Sequence, residues 1–232
     1  DTPEDIGHAL NHCNIKEINY LSYSHLDPDH TFGMRVIEQL RLNWLDLSIN
    51  KKCDNPIKVL ALPNVLNDVN ALSTKYGSIF DYYESLNLIK RKSVNKRIVI
   101  NDIKITFVPA NEEATVTIFV FEQNGKKLIY APCDVKPFPN SRLFYDADYL
   151  IIGNTIIGNI LKNNFYLTKN NPLNLELFSF EEVLELKAKY NIQNVIITHL
   201  EEDWGKSYDD YLNYEKECIA IKFAYDGMTI EL

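Results

Sequence analysis

Hydrophobic and polar positions follow two different periods along this chain. Runs such as Ile18–Ser24 are short, rich in Ile, Tyr and Leu, and alternate, which predicts β-strands. Segments such as Phe180–Tyr190 repeat their apolar positions at helical spacing. Further strands are predicted at Ile57–Leu62, Arg97–Ile100, Ile103–Val108, Val116–Phe121, Lys127–Ala131, Tyr149–Ile152 and Asn194–Thr198, and further helices at Thr31–Leu42, from Pro63 onward and at Ser207–Cys218.

Turn and cap residues join these elements. Asn101-Asp102 and Asn124-Gly125 predict tight hairpins in the middle of the chain. Thr31 and Ser179 are candidate helix N-caps. Helices interleaved with short strands, with hairpins in the middle third, favour an α+β architecture over a purely parallel sheet. We expect an αββα sandwich of two mixed sheets flanked by helices, formed as a single domain over residues 1–232.

Composition narrows the class of protein. The formal net charge is −8, which disfavours a nucleic-acid surface because phosphate binding needs clustered Lys and Arg. No apolar run approaches 18 residues, so no membrane span is expected. The four cysteines are scattered and form no CxxC pair, so neither a zinc knuckle nor a disulfide framework is indicated. Free thiols are typical of a reducing compartment, and we expect a cytoplasmic protein.

The segment between Ser24 and Thr31 is the strongest chemical feature of the sequence. His25, Asp27, Asp29 and His30 are four potential metal ligands within six residues, between a predicted strand and a predicted helix. Alternation along an extended loop would direct His25 and Asp27 one way and leave Asp29 and His30 for a second ion, which suits a two-metal site. The alternative is a solvated polar loop whose histidines occur by chance.

This segment resembles the HxHxDH motif of metallo-β-lactamase superfamily hydrolases, with Asp27 in place of the second histidine. Asp1-Thr2-Pro3 resembles the Asp that supports the metal loop in this family. Because more strands normally precede that Asp, we expect that the first strands of the fold are missing from this chain. The closing segment Ala224–Met228 is similar to the tail of the branch that contains phosphoribosyl cyclic phosphate phosphodiesterases.

The resemblance also implies positions for the remaining ligands. The next metal-binding histidine of the family corresponds to Glu112, with Glu113 or Asn111 as alternatives. The bridging Asp corresponds to Asp134, at the end of a strand, and the last ligand to His199, after Asn194–Thr198. The implied metal ligands are His25, Asp27, Asp29, His30, Glu112, Asp134 and His199.

The resemblance divides these ligands between two ions. His25, Asp27 and Glu112 would bind one ion, Asp29, His30 and His199 the other, and Asp134 would bridge them. Asp29 and Asp134 are the implied catalytic residues. Glu202, three residues after His199, is a candidate second-shell or acid–base residue.

Two of the family's histidines are carboxylates here. Oxygen ligands favour harder ions, so Mn²⁺ or Fe²⁺ is expected at least as readily as Zn²⁺ for the two divalent ions. The alternative is that one site has decayed and only Asp29, His30 and His199 bind metal. Plain structural roles for Asp134, as a turn residue, and for His199, as a core or cap residue, also stay open.

The implied activity is that of a metal-dependent hydrolase. A metal-bound hydroxide would attack a small phosphodiester, cyclic in the preferred interpretation. The alternatives are another hydrolase of the same fold, acting on a thioester, a lactone or an RNA end, and a non-catalytic metal-binding protein. The expected partner is a small phosphorylated molecule, and no interaction with a membrane is expected. A homodimer is an open alternative. Gly153-Asn154-Thr155 and Trp204 are expected only to lie near the pocket.

Overall fold

The computed structural model describes every residue from Asp1 to Leu232 and separates into two compact units. Unit 1 comprises residues 1–96 and 111–117, and unit 2 comprises residues 97–110 and 118–232. Several sheets flanked by helices confirm the expected α+β class. The assignment of the chain to a single domain stays a prediction.

Unit 1 is built on a three-stranded parallel sheet. The strands of unit 1 are β1 (Tyr20–Ser22), β2 (Ile57–Ala61), β3 (Ser73–Thr74), β4 (Gly77–Ser78) and β5 (Ile89–Ser93). The sheet has the order β1-β2-β5, and β3 and β4 form a separate small hairpin. The central strand β2 is buried at every position except Lys58, as expected for a parallel strand covered on both faces.

Six short helices accompany this sheet. They are α1 (Ile6–His12), α2 (Pro28–Thr31), α3 (Val36–Arg41), α4 (Trp44–Ser48), α5 (Pro63–Asn70) and α6 (Ile79–Ser85). The start of α5 at Pro63 confirms the predicted helix there, since proline is favoured in the first turn.

The predicted continuous helix Thr31–Leu42 is wrong. The chain instead forms α2, a 3₁₀ helix at Phe32–Arg35, and then α3. Thr31 does not cap a helix, because its hydroxyl donates to the carbonyl oxygens of Leu26 and Asp27, at 2.9 Å each. Thr31 therefore stabilises the loop from His25 to His30, which contains four potential metal ligands and is named the metal loop.

Unit 2 is built on a seven-stranded mixed sheet with the order β14-β13-β10-β9-β8-β7-β6. Strands β9, β10, β13 and β14 are parallel, whereas β9 pairs with β8 and β7 with β6 in antiparallel fashion. The strands of the unit are β6 (Arg97–Ile100), β7 (Ile103–Pro109), β8 (Thr117–Gln123), β9 (Lys126–Ala131), β10 (Tyr149–Gly153), β11 (Thr155–Ile156), β12 (Phe178–Ser179), β13 (Asn194–Thr198) and β14 (Ile221–Phe223).

Both predicted hairpin turns are confirmed. Ile100 pairs with Ile103 around Asn101 and Asp102, which have φ angles of 48° and 65°. Gln123 pairs with Lys126 around Asn124-Gly125, with φ angles of 51° and 78°. Positive φ at both central positions is the backbone that two-residue hairpins require, and Asn, Asp and Gly adopt it most readily.

Three α-helices belong to unit 2: α7 (Leu173–Glu176), α8 (Phe180–Lys189) and α9 (Tyr208–Glu217). Ser179 caps α8 as predicted, in a capping box with Glu182. Ser207 and Asp210 form the same motif at the start of α9. No helix of the chain combines the length and the apolar character needed to cross a bilayer.

Candidate metal centre

The metal loop of unit 1 follows β1, and hydrogen bonds and buried side chains hold it at both ends. Ser24 and His25 are buried, Pro28 opens α2, and the His30 amide donates to the Asp27 carbonyl at 2.9 Å. With the two bonds from the Thr31 hydroxyl, these contacts fix the backbone between the two histidines. Hydrogen bonds therefore fix the conformation of the loop, which differs from a solvated polar segment.

A carboxylate at the start of the chain orients both imidazoles. Asp1 accepts hydrogen bonds from the Ser24 amide at 2.6 Å and from the Ser24 hydroxyl at 2.7 Å. The same carboxylate lies 3.1 Å from His30 Nδ1, and Ser24 Oγ lies 2.9 Å from His25 Nδ1. Asp1 thus contacts His30 directly and His25 through Ser24.

This network sets the tautomer of each ring. The carboxylate can only accept, so His30 Nδ1 carries the proton of that bond. Ser24 gives its single proton to Asp1, so its oxygen accepts from His25 Nδ1–H. A neutral ring in either position then has its lone pair on Nε2, as in metal-binding histidines whose other nitrogen is held by a carboxylate.

Each Nε2 has a carboxylate beside it. His25 Nε2 lies 3.7 Å from Asp27 Oδ2, and His30 Nε2 lies 3.4 Å from Asp29 Oδ2. The ring centroids are 4.1 Å apart at 47°. The imidazole side chains are only 4% and 5% exposed, whereas the two carboxylates are 56% and 50% exposed. Buried nitrogen donors beside half-exposed oxygen donors suit a divalent cation that is open to solvent on one side.

Glu112 lies in the segment of unit 1 that joins β7 to β8, and its side chain is exposed. The segment is ordered by Asn111, which bonds the amide and hydroxyl of Thr115, and by Asn64, which donates to the Glu113 carbonyl. The Glu112 carboxylate does not lie close to two or more other potential metal ligands. Its role as a ligand stays a prediction.

In unit 2 the other two predicted ligands lie at one edge of the sheet. Parallel strands β9, β10 and β13 are in register at their carboxyl ends, with Ile152 opposite Ala131 and Gly153 opposite Thr198. Each strand is followed by a residue with left-handed backbone: Asp134 at φ 53°, Asn154 at 51° and His199 at 57°. Such conformations are uncommon outside glycine and concentrate at functional sites.

Gly153 allows the backbone that carries Asp134 to pass very close to β10. A Cβ at this position would lie 1.4 Å from the Pro132 carbonyl oxygen, so no other residue fits without movement. On the other side, the Asn154 amide donates to the Thr198 carbonyl at 3.2 Å. The three strand ends are thus joined by backbone contacts.

Two residues at this edge were not assigned a role by sequence reasoning. Cys133 is buried and, together with Asp134 and His199, is a candidate metal ligand of unit 2. Its position after a predicted strand and directly before Asp134 is the sequence signal that indicates this role. Asn154 was expected only to lie near a pocket, yet its Oδ1 is buried without a hydrogen-bond partner.

Further buried polar atoms without partners occur in unit 2. Two of them, Thr155 Oγ1 and Trp204 Nε1, belong to residues that follow β10 and β13. Most buried polar atoms of proteins are hydrogen-bonded, so these exceptions mark groups that a water or a ligand would satisfy.

Glu202 does not fit the acid–base role considered for it. Its exposed carboxylate forms an ion pair with Lys162. The hydrogen bond and the charge of Lys162 hold the pKa of Glu202 below its ordinary value. A general acid needs a raised pKa to keep its proton near neutral pH, so Glu202 is better described as a surface charge of unit 2.

Comparison with known proteins identifies the fold. No protein-family model matches the chain, and no curated protein matches its sequence. Among solved structures, zinc-bound PqqB from Methylobacterium extorquens is similar at 18% identity and a TM-score of 0.69, covering 100% of this chain and 81% of that protein.

Two further structures agree. The metallo-β-lactamase fold protein YhfI from Bacillus subtilis matches at 12% identity and a TM-score of 0.67, covering 98% of this chain and 84% of its own. A diphosphatase of the PhnP family matches at 13% identity and a TM-score of 0.65, covering 100% and 78%. The chain therefore has the metallo-β-lactamase fold, as its sequence predicted.

Proposed function

We propose that this chain of the metallo-β-lactamase fold is a metal-dependent hydrolase that cleaves a small phosphodiester. One observation carries the proposal. The Asp1 carboxylate, with Ser24, holds both histidines of the loop so that each Nε2 stands beside a carboxylate. A chance pair of surface histidines would have no reason to be buried or to share one orienting acid.

The ligand assignment follows from the order of the motif. We assign His25, Asp27 and Glu112 to one ion and Asp29, His30 and His199 to the other, with Asp134 shared. The donor types fit divalent metal ions: imidazole nitrogens with their lone pairs on Nε2, and carboxylate oxygens. Cys133 is an additional donor of unit 2, and its thiolate would favour Zn²⁺ over Mn²⁺.

Divalent ions, when bound, lower the pKa of a coordinated water and so supply hydroxide near neutral pH. The residues of the chain have separate tasks. Asp1 and Ser24 orient the two imidazoles and occupy their Nδ1 atoms, so that Nε2 of each ring would be the metal-binding atom. Asp29 is half-exposed, so its carboxylate is accessible to a substrate and can hold a proton of the attacking water.

A phosphodiester is the preferred substrate for two reasons. The formal net charge is −8, which disfavours a long nucleic acid as substrate because its binding depends on Lys and Arg contacts to phosphates. A solved structure with this fold is described as a diphosphatase from the PhnP family, which makes a phosphorus-centred substrate the preferred class. A small phosphoester, neutralised locally by metal ions, fits both facts.

The test is hydrolysis of bis-p-nitrophenyl phosphate by EDTA-treated protein with Mn²⁺, Fe²⁺ or Zn²⁺ restored, together with metal content by mass spectrometry. We expect activity that EDTA removes and metal restores, and a loss of at least about 100-fold in Asp29→Asn. Asp54→Asn is the matched control, because Asp54 is an exposed acid of unit 1 outside the loop.

Three outcomes would overturn the proposal. Metal binding without any hydrolysis would favour the non-catalytic alternative. Hydrolysis of thioesters or lactones but not of phosphodiesters would favour another hydrolase of the same fold. A protein that binds no metal after incubation with each ion would exclude both metal-dependent readings.

A further inference from the structure

A groove in unit 1 is lined in part by residues that follow the metal loop in sequence, from Phe32 onward. None of its lining residues is a ligand of the proposed metal site. The groove has a volume of about 670 Å³. Five aromatic side chains line it: Phe32, Trp44, Tyr76, Tyr82 and Tyr83. Cavities of roughly 300–1,000 Å³ with aromatic walls and few polar groups are typical of small-molecule sites.

The walls of this groove present their rings to solvent. Trp44 is 67% exposed, Tyr76 77% and Phe32 59%, whereas Tyr83 is buried and forms the floor. Large aromatic rings usually bury their surface, and three exposed rings around one concavity leave their faces open for stacking. A flat ring is the ligand shape that such walls accommodate.

The aromatic residues come from separate elements that local contacts hold in place. Phe32 opens the 3₁₀ helix two residues after His30, and the next residue, Gly33, donates its amide to the Thr2 carbonyl at 2.8 Å. A Cβ on Gly33 would meet the Pro3 carbonyl oxygen at 1.8 Å, so this close contact requires glycine. The segment that carries Phe32 is therefore fixed.

The charges around the groove favour an anion. Glu38 is the only acid among the lining residues. Burial, followed by the charge of Glu38 and a hydrogen bond to it, raises the pKa of the Tyr83 hydroxyl. Arg35 is 79% exposed and its Nε lies 3.8 Å from Glu38, a loose pairing that leaves its donors available. Lys75 lies over the Tyr76 ring, 4.9 Å from its centroid. Of the two charged lining residues, the positive one is thus the more exposed, at 79% against 27%.

We infer that this groove binds a flat aromatic ring carrying an anionic group. Resting on the proposed function, we assign that ring to a substituent of the phosphoester substrate, since Phe32 belongs both to the groove and to the segment that continues from the metal loop. The rings would stack on Trp44 and Tyr76, and Arg35 would bind the anion. The substrate class is then an aryl or nucleobase-bearing phosphoester rather than an aliphatic one.

Binding can be tested without catalysis, by calorimetric titration of 1-naphthyl phosphate into EDTA-treated protein. We expect saturable binding, at least tenfold weaker in Trp44→Ala and in Tyr76→Ala, and unchanged in Leu45→Ala. Leu45 is the matched control because it is 79% exposed on the same helix but does not line the groove. Arg35→Gln should weaken binding of 1-naphthyl phosphate and leave that of 1-naphthol unchanged.

Several results would overturn the groove assignment. One is equal affinity for glycerol 1-phosphate, which has the anion without the ring, and another is unchanged affinity in Trp44→Ala. A third is a dimer in sedimentation velocity that Trp44→Ala dissociates while 1-naphthyl phosphate does not bind, which would assign the groove to a second copy of the chain.

The link to the substrate has its own readout. With metal restored, Trp44→Ala should lower kcat/KM for bis-p-nitrophenyl phosphate more than for ethylene phosphate, a cyclic phosphodiester without an aromatic ring. An equal loss for both esters would overturn the link. Hydrolysis without ring binding would overturn only this inference, whereas ring binding without hydrolysis would overturn the proposed function and the link together.

Discussion

The Ser24 hydroxyl joins Asp1 to His25, donating to the carboxylate at 2.7 Å and lying 2.9 Å from His25 Nδ1. Because one hydroxyl has one proton, this geometry makes Ser24 a relay that presents the imidazole with its lone pair on Nε2. His30 reaches the same carboxylate without a relay. The two histidines therefore depend to different degrees on Ser24.

Ser24→Ala should weaken the metal site selectively. The substitution removes the hydrogen bond from the Ser24 hydroxyl to Asp1 and its contact with His25 Nδ1. Removal of such a supporting group typically lowers metal affinity by about 10–100-fold. Titration calorimetry with Mn²⁺ would measure the effect. Ser85→Ala is the control, since the Ser85 hydroxyl donates to the nearby Tyr82 carbonyl, outside the metal loop. Unchanged Mn²⁺ affinity in Ser24→Ala would show that the relay does not orient His25.

Gly153→Ala should destabilise the fold. The new Cβ would lie 1.4 Å from the Pro132 carbonyl oxygen, so the backbone before Cys133 must move. Overpacking of this kind costs about 1–3 kcal/mol and often more where backbone is displaced. Urea unfolding would measure it. Gly7→Ala is the control, because the nearest atom to its Cβ is 3.5 Å away and alanine is favoured in helix α1 by up to about 1 kcal/mol.

Asp102→Gly should stabilise unit 2 by about 0.5–1 kcal/mol. Asp102 has φ 65° at the second position of a two-residue hairpin, where glycine has no steric penalty. Thermal or urea unfolding would show the gain, and Lys104→Gly, within β7, should show a loss. A destabilised Asp102→Gly would mean that the aspartate side chain supports the turn by more than its backbone strain costs.

Sequence reasoning succeeded where structure is determined locally. The hairpin at Asn124-Gly125 and the cap at Ser179 depend on residues within a few positions, and both are present. It failed at Thr31, which resembles a cap, because the Thr31 hydroxyl bonds carbonyls of the preceding loop instead. Local patterns do not reveal that competition.

The same limit applies to the candidate metal centre. The pattern from His25 to His30 is contiguous in sequence, so its ligand types could be read directly. The importance of Cys133 and Asn154 could not, because it arises from the register of three parallel strands and from the Gly153–Pro132 contact. These contacts join segments about 20 to 45 residues apart, and only folding brings them together.

The carboxylate of Asp148 should make stability depend on pH. It accepts a bond from the Lys127 amide at 2.8 Å and one from Lys126 Nζ at 3.1 Å, and these bonds hold its pKa below the ordinary value of 3.8. A depressed pKa adds stability that is complete above 3.8 and is lost as pH falls through the folded-state pKa.

Asp148→Asn tests this dependence. The difference in unfolding free energy from the parent protein should be constant between pH 6 and 7 and should shrink below pH 4, as the parent protonates. Urea unfolding across this range would measure it, with Asp54→Asn as an exposed control. A difference that is the same at every pH would mean that the charge of Asp148 contributes nothing beyond its shape.

Asn154 should be more important for catalysis than for stability. Its Oδ1 is buried without a partner, which costs stability, and its φ of 51° suits glycine as well as asparagine. Asn154→Gly should therefore unfold within about 1 kcal/mol of the parent protein. On the proposed function it should hydrolyse bis-p-nitrophenyl phosphate at least about tenfold more slowly, because the unpartnered amide is lost from the strand end next to those that carry Asp134 and His199. Asn154→Ala adds backbone strain and separates the two effects: its unfolding free energy should fall further while its activity matches that of Asn154→Gly. If Asn154→Gly retained full kcat/KM, the unpaired amide would have no part in the reaction, and its left-handed backbone would serve only to turn the chain after β10.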